Sequence, residues 1–166
     1  MQFAKVERGE GSDPYEVAHT IALNALVARA KSKGELLAHL KTRGVEDDIA
    51  QAVVFRLQET GLVNDREFAA AWATSRHSHK KLSKRIIAGE LRQKGVTQEQ
   101  IDEALDGIDD ESEYRVAFDL GFKKYNTMSR LEPDVQIRRI QSLLARKGFN
   151  STIISRVLRE LDLVNN

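Results

Sequence analysis

Apolar residues recur at three- and four-residue steps along nearly the whole chain, the spacing that lines one face of an α-helix. Residues 1–13 lack that periodicity and read as a flexible leader. Asp13-Pro14-Tyr15-Glu16 then supplies a cap acceptor, a proline at the first helical position and an early acid. The stripe Tyr15, Ala18, Ala22, Ala25 and Leu26 predicts a first helix to about Lys31. Ser32-Lys33-Gly34-Glu35 is a capping box that opens a short helix with Leu36, Leu37 and Leu40 inward and Gly44 at its end. Glu46, Asp47 and Asp48 start a third helix striped by Ile49, Val53 and Leu57, with Gly61 as its stop.

The same grammar restarts at Asn64-Asp65-Arg66-Glu67, a cap for a helix whose stripe is Phe68, Ala71 and Trp72. Leu82, Ile86, Ile87 and Leu91 predict a fifth helix ending at Gly95. Thr97 and Gln100 box a sixth with Ile101, Ala104, Leu105 and Ile108 on one side. Across an acidic linker, Asp109-Asp110-Glu111, a seventh follows with Tyr114, Phe118, Phe122 and Tyr125. Pro133 opens an eighth with Val135, Ile140, Leu143 and Leu144, ending at Gly148. Ile153, Ile154, Val157, Leu158 and Leu161 mark a ninth. Period-two alternation and hairpin signals are absent, so an all-α fold is expected.

Superimposing Gly44, Gly95 and Gly148 turns the repetition into a register. Four residues upstream stand Leu40, Leu91 and Leu144, and eight upstream stand Leu36, Ile87 and Ile140. One downstream are Val45, Val96 and Phe149. Nine, ten and thirteen downstream are Val53/Ala104/Val157, Val54/Leu105/Leu158 and Leu57/Ile108/Leu161. Unrelated helical hairpins ending in glycine share part of this pattern, but agreement on both sides of the glycine favours a true repeat. The reading is three tandem three-helix repeats, residues 14–60, 61–108 and 109–166. Each is too small to bury a core alone, so stacking gives an elongated array that is free to curve.

Composition narrows the function classes. Hydrophobic content of 41% suits a folded protein, and with no cysteine there are no disulfides, thiolate metal sites or cysteine nucleophiles. No apolar run approaches the ~20 residues that span a bilayer, and the polar start lacks a signal-peptide core; a cytoplasmic protein is expected. The histidines, His19, His39, His77 and His79, have no metal-ligand spacing, and the bland reading is that they are exposed or touch backbone. No phosphate loop, nucleophile elbow or zinc-protease motif occurs. Neither catalysis nor a cofactor is expected.

Net charge is only +1, so position matters more than the total. From Arg76 to Arg85 there are five Lys or Arg, two His and no acid. Arg76, Lys80, Lys81, Lys84 and Arg85 form a central candidate contact set. Arg138, Arg139, Arg146 and Lys147 form a second in the third repeat; Arg92 and Lys94, and Lys41 and Arg43, sit at comparable helix ends. The bland reading of each cluster is a solvated helix end whose cations complement the dipole. Their recurrence at equivalent positions favours a face for phosphates or an acidic protein groove.

Gly61-Leu62-Val63-Asn64-Asp65-Arg66-Glu67-Phe68-Ala69 resembles the signature Gly-Tyr/Leu-Leu/Ile-Asp/Asn-Asp-x-x-Phe/Tyr-Ala of the RecX family of recombination regulators. Lys84-Arg85-Ile86-Ile87-x-x-Glu90-Leu91-x-x-Lys94-Gly95-Val96 is similar to its next segment. Ala30-Lys31-Ser32-x-x-Glu35-Leu36-x-x-x-Leu40-x-x-Arg43-Gly44 is similar to its first-repeat motif. The departure is the basic turn: His79-Lys80-Lys81-Leu82-Ser83 stands where family members often carry Lys-Gly-x-Gly-Pro.

The resemblance implies a monomeric cytoplasmic modulator, usually an inhibitor, of the RecA recombinase filament on single-stranded DNA. Its expected setting is recombination, DNA repair and the SOS response, with direct DNA contact weak. The residue assignments above rest on charge and position, not on a family motif. The alternative is a helical DNA-binding module acting without a recombinase, though no helix shows the Arg/Asn/Gln face of base readout. A purely structural adaptor is a third class. If the array is extended, solution scattering gives a radius of gyration clearly above the ~15 Å of a compact globule of this length; a value at or below that would rule the extended array out.

Overall fold

A computed structural model describes residues 11–163. Among these residues lie nine helices and no strand. They are α1 (Pro14–Ala28), α2 (Lys33–Thr42), α3 (Asp47–Glu59), α4 (Asp65–Ser78), α5 (Lys84–Gln93), α6 (Gln98–Asp106), α7 (Asp110–Asn126), α8 (Pro133–Arg146) and α9 (Ser151–Glu160). The chain forms two compact units, one ending at Phe68 and the other beginning at Ala69, so the division falls inside α4. The leader through Glu10 lies outside the described residues.

Local chemistry explains the helix starts. Asp13 accepts the Tyr15 N–H at 2.9 Å ahead of Pro14. Ser32 with Glu35, and Thr97 with Gln100, form reciprocal capping boxes. Asn64 accepts the N–H groups of Arg66 and Glu67 at 3.1 and 3.2 Å, and Asn150 accepts that of Ile153 at 2.9 Å. Each cap satisfies amide donors that the helix itself leaves open, worth about 1 kcal/mol apiece.

The three aligned glycines close their helices in one way. Gly44, Gly95 and Gly148 have φ of 78°, 77° and 90°, in the left-handed region that costs a side-chain-bearing residue about 1–2 kcal/mol. Their N–H groups donate to Lys41, Arg92 and Ala145, each at 3.0 Å. The next residues, Val45, Val96 and Phe149, donate to Leu40, Leu91 and Leu144 at 3.1–3.2 Å. These paired bonds are the Schellman motif, and the residues joined by the longer one are its usual apolar contact.

Burial obeys the same register. Leu36, Leu40, Ile87, Leu91, Ile140 and Leu144 are all fully buried. So are Val53, Val54 and Leu57 of the first repeat and, nearly so, Val157, Leu158 and Leu161 of the third. Each such side chain contributes about 1.5–3 kcal/mol. The second repeat is the leaner one: Ala104 and Leu105 are only half-buried. In the third, Gly121 lets α7 approach α9, since a Cβ there would lie 2.8 Å from a Val157 methyl.

Several local expectations need correction. α1 stops at Ala28, not near Lys31, because Arg29 is extended and leads the chain toward the Ser32 cap. Leu82 precedes α5 instead of lying within it, since Ser83 is the cap. Asp109 to Glu111 is not a linker: Asp109 caps α7, with Asp110 and Glu111 in its first turn. On α4, Ala69 and Ala73 are buried and Ala71 is exposed. Phe122 is exposed, stacked on Phe118 with ring centroids 5.9 Å apart.

The glycine turns differ in their surroundings, which gives a paired test. A Cβ on Gly44 would meet open space, whereas one on Gly148 would overlap the Ser83 hydroxyl and the Ile86 side chain. Gly44→Ala should therefore cost about 1–2 kcal/mol from backbone strain alone. Gly148→Ala should cost about 2–5 kcal/mol, because overpacking adds to the strain. Urea denaturation monitored by far-UV circular dichroism measures both; equal losses would contradict this assignment.

Candidate functional site

The basic turn between α4 and α5 is built against the third repeat, inside the second unit. Ser83, almost fully buried, caps α5 through the Ile86 N–H, and its own N–H donates to the Lys147 carbonyl at 3.0 Å. The first amide of α5, on Lys84, donates to Glu113 of α7 at 2.9 Å. The Lys84 ammonium reaches Asp110 at 3.3 Å. The first unit holds a counterpart: buried Ser32 caps α2, and the Lys33 N–H donates to Asp65 at 2.7 Å. In both places a carboxylate from the first helix of the next repeat satisfies the opening amide of the second helix of the preceding one. Asp65 and Glu113 are each only 7% exposed, and removing either would leave a part-buried donor unmet.

This joint sorts the predicted cations. Lys84 is tied at both its backbone and its side chain. Lys147 donates to the Lys80 carbonyl at 2.8 Å, which ties the end of α8 to the basic turn, and Arg85 makes a long bond to the Gly148 carbonyl at 3.5 Å. The structure thus brings Lys80, Lys81, Arg85 and Lys147 together, with Arg146 beside Lys147 in the chain. Lys80 and Arg146 are exposed, Lys81 is half-buried, and none of the three forms an ion pair among the described residues. Lys81 takes a left-handed φ of 56° in the turn.

Arg139 and Arg146, seven residues apart on α8, share a face about 10 Å apart along the axis. Arg138 adjoins Arg139; both are exposed and without an ion pair among the described residues. Arg76 is the exception among the candidates. It bonds Glu90 at 3.0 Å and lies over the Trp72 ring at 4.0 Å. The Trp72 indole N–H donates to the same Glu90 oxygen at 2.8 Å, and Lys94 lies 4.1 Å from the ring centroid. Arg76 therefore braces α4 against α5 and is less available to a ligand.

His77 is buried, with Nδ1 3.1 Å from the Leu82 carbonyl. A carbonyl only accepts, so the proton sits on Nδ1 and the ring holds the turn. His79 is exposed. Among the described residues no group of three or more His, Asp or Glu is placed to hold a metal ion. No described helix is long and apolar enough to cross a membrane. Charge counting along the chain missed the acids that pin the cations. Glu90, Asp110 and Glu113 lie 14, 26 and 29 residues from their partners, and no short-range pattern pairs them.

Models of the RecX first, second and third three-helix domains match residues 18–57, 64–105 and 110–158. A regulatory protein RecX of Streptomyces coelicolor is 37% identical over 158 residues, covering 95% of this chain and 84% of that protein. The chain belongs to the RecX family. The regulatory protein RecX of Mycolicibacterium vanbaalenii is 41% identical over 153 residues, covering 89% of this chain and 83% of its own. In fold, the crystal structure of RecX from Lactobacillus salivarius superimposes with a TM-score of 0.80 at 23% identity, covering 92% of this chain and 99% of that one. All three RecX domains thus find a counterpart here in the expected order.

Glu113→Ala should destabilise the protein by about 1–3 kcal/mol, the cost of leaving the part-buried Lys84 amide without an acceptor. Glu113→Gln keeps an acceptor oxygen and should recover most of that loss. Urea titration of the two variants decides the point; equal behaviour would mean the amide does not depend on this oxygen.

Proposed function

We propose that this chain is a non-enzymatic regulator that binds the RecA filament on single-stranded DNA and lowers recombinase activity. On this reading it acts in the cytoplasm as a monomer of three repeats, 14–60, 61–108 and 109–166, with bare DNA a weak ligand. Family membership supports the reading, and relatives carry the name regulatory protein. The single observation that carries the contact assignment is the tie between Lys147 and the Lys80 carbonyl, which puts the basic turn beside the end of α8. Lys80, Lys81, Arg85 and Arg146 then offer charge to phosphates or to acidic protein surface, and Arg138 and Arg139 extend it along α8. Arg76, Lys84 and Lys147 support these residues more than they contact a partner.

Reversing Lys84 would damage the joint, so the informative variant is Lys80→Glu with Lys81→Glu and Arg146→Glu. Added below stoichiometry to the cognate recombinase on single-stranded DNA, the wild-type protein should slow ATP hydrolysis. The triple variant should need about tenfold more protein for the same effect, a loss of about 1.4 kcal/mol or more, at unchanged helicity. Lys81→Gly removes one charge while suiting the left-handed backbone, so a partial loss there isolates charge from folding. Unaltered ATP turnover with wild-type protein would sink the reading. Tight, salt-dependent binding to bare DNA instead would favour the DNA-binding module.

A further inference from the structure

The first unit carries a groove that the basic face does not explain. It runs along α1 with a volume of about 640 Å³, within the usual range for ligand-sized clefts. Val17, Ile21 and Ala25 give it an apolar floor at helical spacing. Lys31 borders it from the α1–α2 turn, and His39 and Arg43 border it from the end of α2, one turn apart. None of these three makes an ion pair among the described residues, whereas nearby Arg29 is held by Glu35 at 3.1 Å. His39 is pushed below its ordinary pKa by burial first and then by Arg43 and Lys31, so both cations act on its ring.

Charge changes sign along the groove. Glu16 lies in the first turn of α1, and Lys31 beyond its last, about 18 Å of helix away. Asp13, also at the groove, is occupied with capping Tyr15. A nucleic-acid backbone brings uniform negative charge and would leave the apolar floor of Val17, Ile21 and Ala25 unused. A polypeptide supplies apolar side chains and a localised carboxylate together. We propose that this groove docks an acidic amphipathic segment of a partner protein, its apolar side chains on Val17, Ile21 and Ala25 and its carboxylate on Lys31 and Arg43. This site is separate from the basic turn and does not rest on the filament reading.

The test is selection of random peptides displayed on phage against the full-length protein, then fluorescence anisotropy of the enriched peptide. Enriched sequences should place Asp or Glu a few residues from Leu, Ile or Phe. Lys31→Glu and Arg43→Glu should each weaken binding by about fivefold or more, while the Lys80→Glu, Lys81→Glu variant binds normally. Affinity should rise as pH falls from about 7.5 to about 6, because a bound carboxylate favours the charged form of His39 against Lys31 and Arg43. Lys31→Gln and Arg43→Gln, with thermal melts, guard against loss of fold. The proposal is overturned if no acidic peptide is enriched or if enriched peptides bind the Lys31 and Arg43 variants as tightly as wild type. It is equally overturned if a single-stranded oligonucleotide, and no peptide, loses binding on Arg43→Glu.

Discussion

The opening amide of α5 cannot find an acceptor within its own helix, and in the folded chain it is part-buried. Glu113 answers it at 2.9 Å from the helix that begins the third repeat. Much of the second unit depends on that one requirement. It brings α7 to the start of α5, lets Asp110 reach Lys84, and leaves the Lys147 carbonyl facing the Ser83 N–H. A basic turn that would otherwise project as a loop becomes a surface backed by the end of α8. The parallel bond from Lys33 to Asp65 indicates that the chain meets the same requirement twice with different acids.

The glycine turns act at a second level. A Schellman closure needs a left-handed residue and rewards an apolar neighbour on either side, so each repetition of the turn carries Leu40, Leu91 or Leu144 into a core. Positions beyond the turn are less constrained, and there the second repeat substitutes Ala104 for valine and keeps Leu105 half-exposed. Repetition is strictest where backbone geometry demands it and loosest where volume alone is at stake.

Elements and register are therefore legible in the sequence, because caps, stops and helical periodicity are short-range signals. The candidate site is legible only as a set of cations. Which of them are free depends on carboxylates that come from other helices, and Glu90, Asp110 and Glu113 look like ordinary surface acids when read in line. Asp65 misleads in a related way. It stands in a capping sequence, yet Asn64 does the capping while Asp65 serves the joint to α2. The exposed Phe122 fits the helical period as well as Phe118 does; periodicity gives a face and does not say whether a neighbour covers it.

Trp72 is the chain's single tryptophan, and its indole is set among Arg76, Lys94 and Glu90. The three groups come from α4, from the end of α5 and from the middle of α5. An indole held between cations, with its N–H on a carboxylate, has an excited state sensitive to each of those charges. The protein thus contains one chromophore whose colour and lifetime register whether two helices are assembled. Because Lys94 adjoins the Gly95 turn, the same signal reports on the closure that the other two repeats share but cannot display.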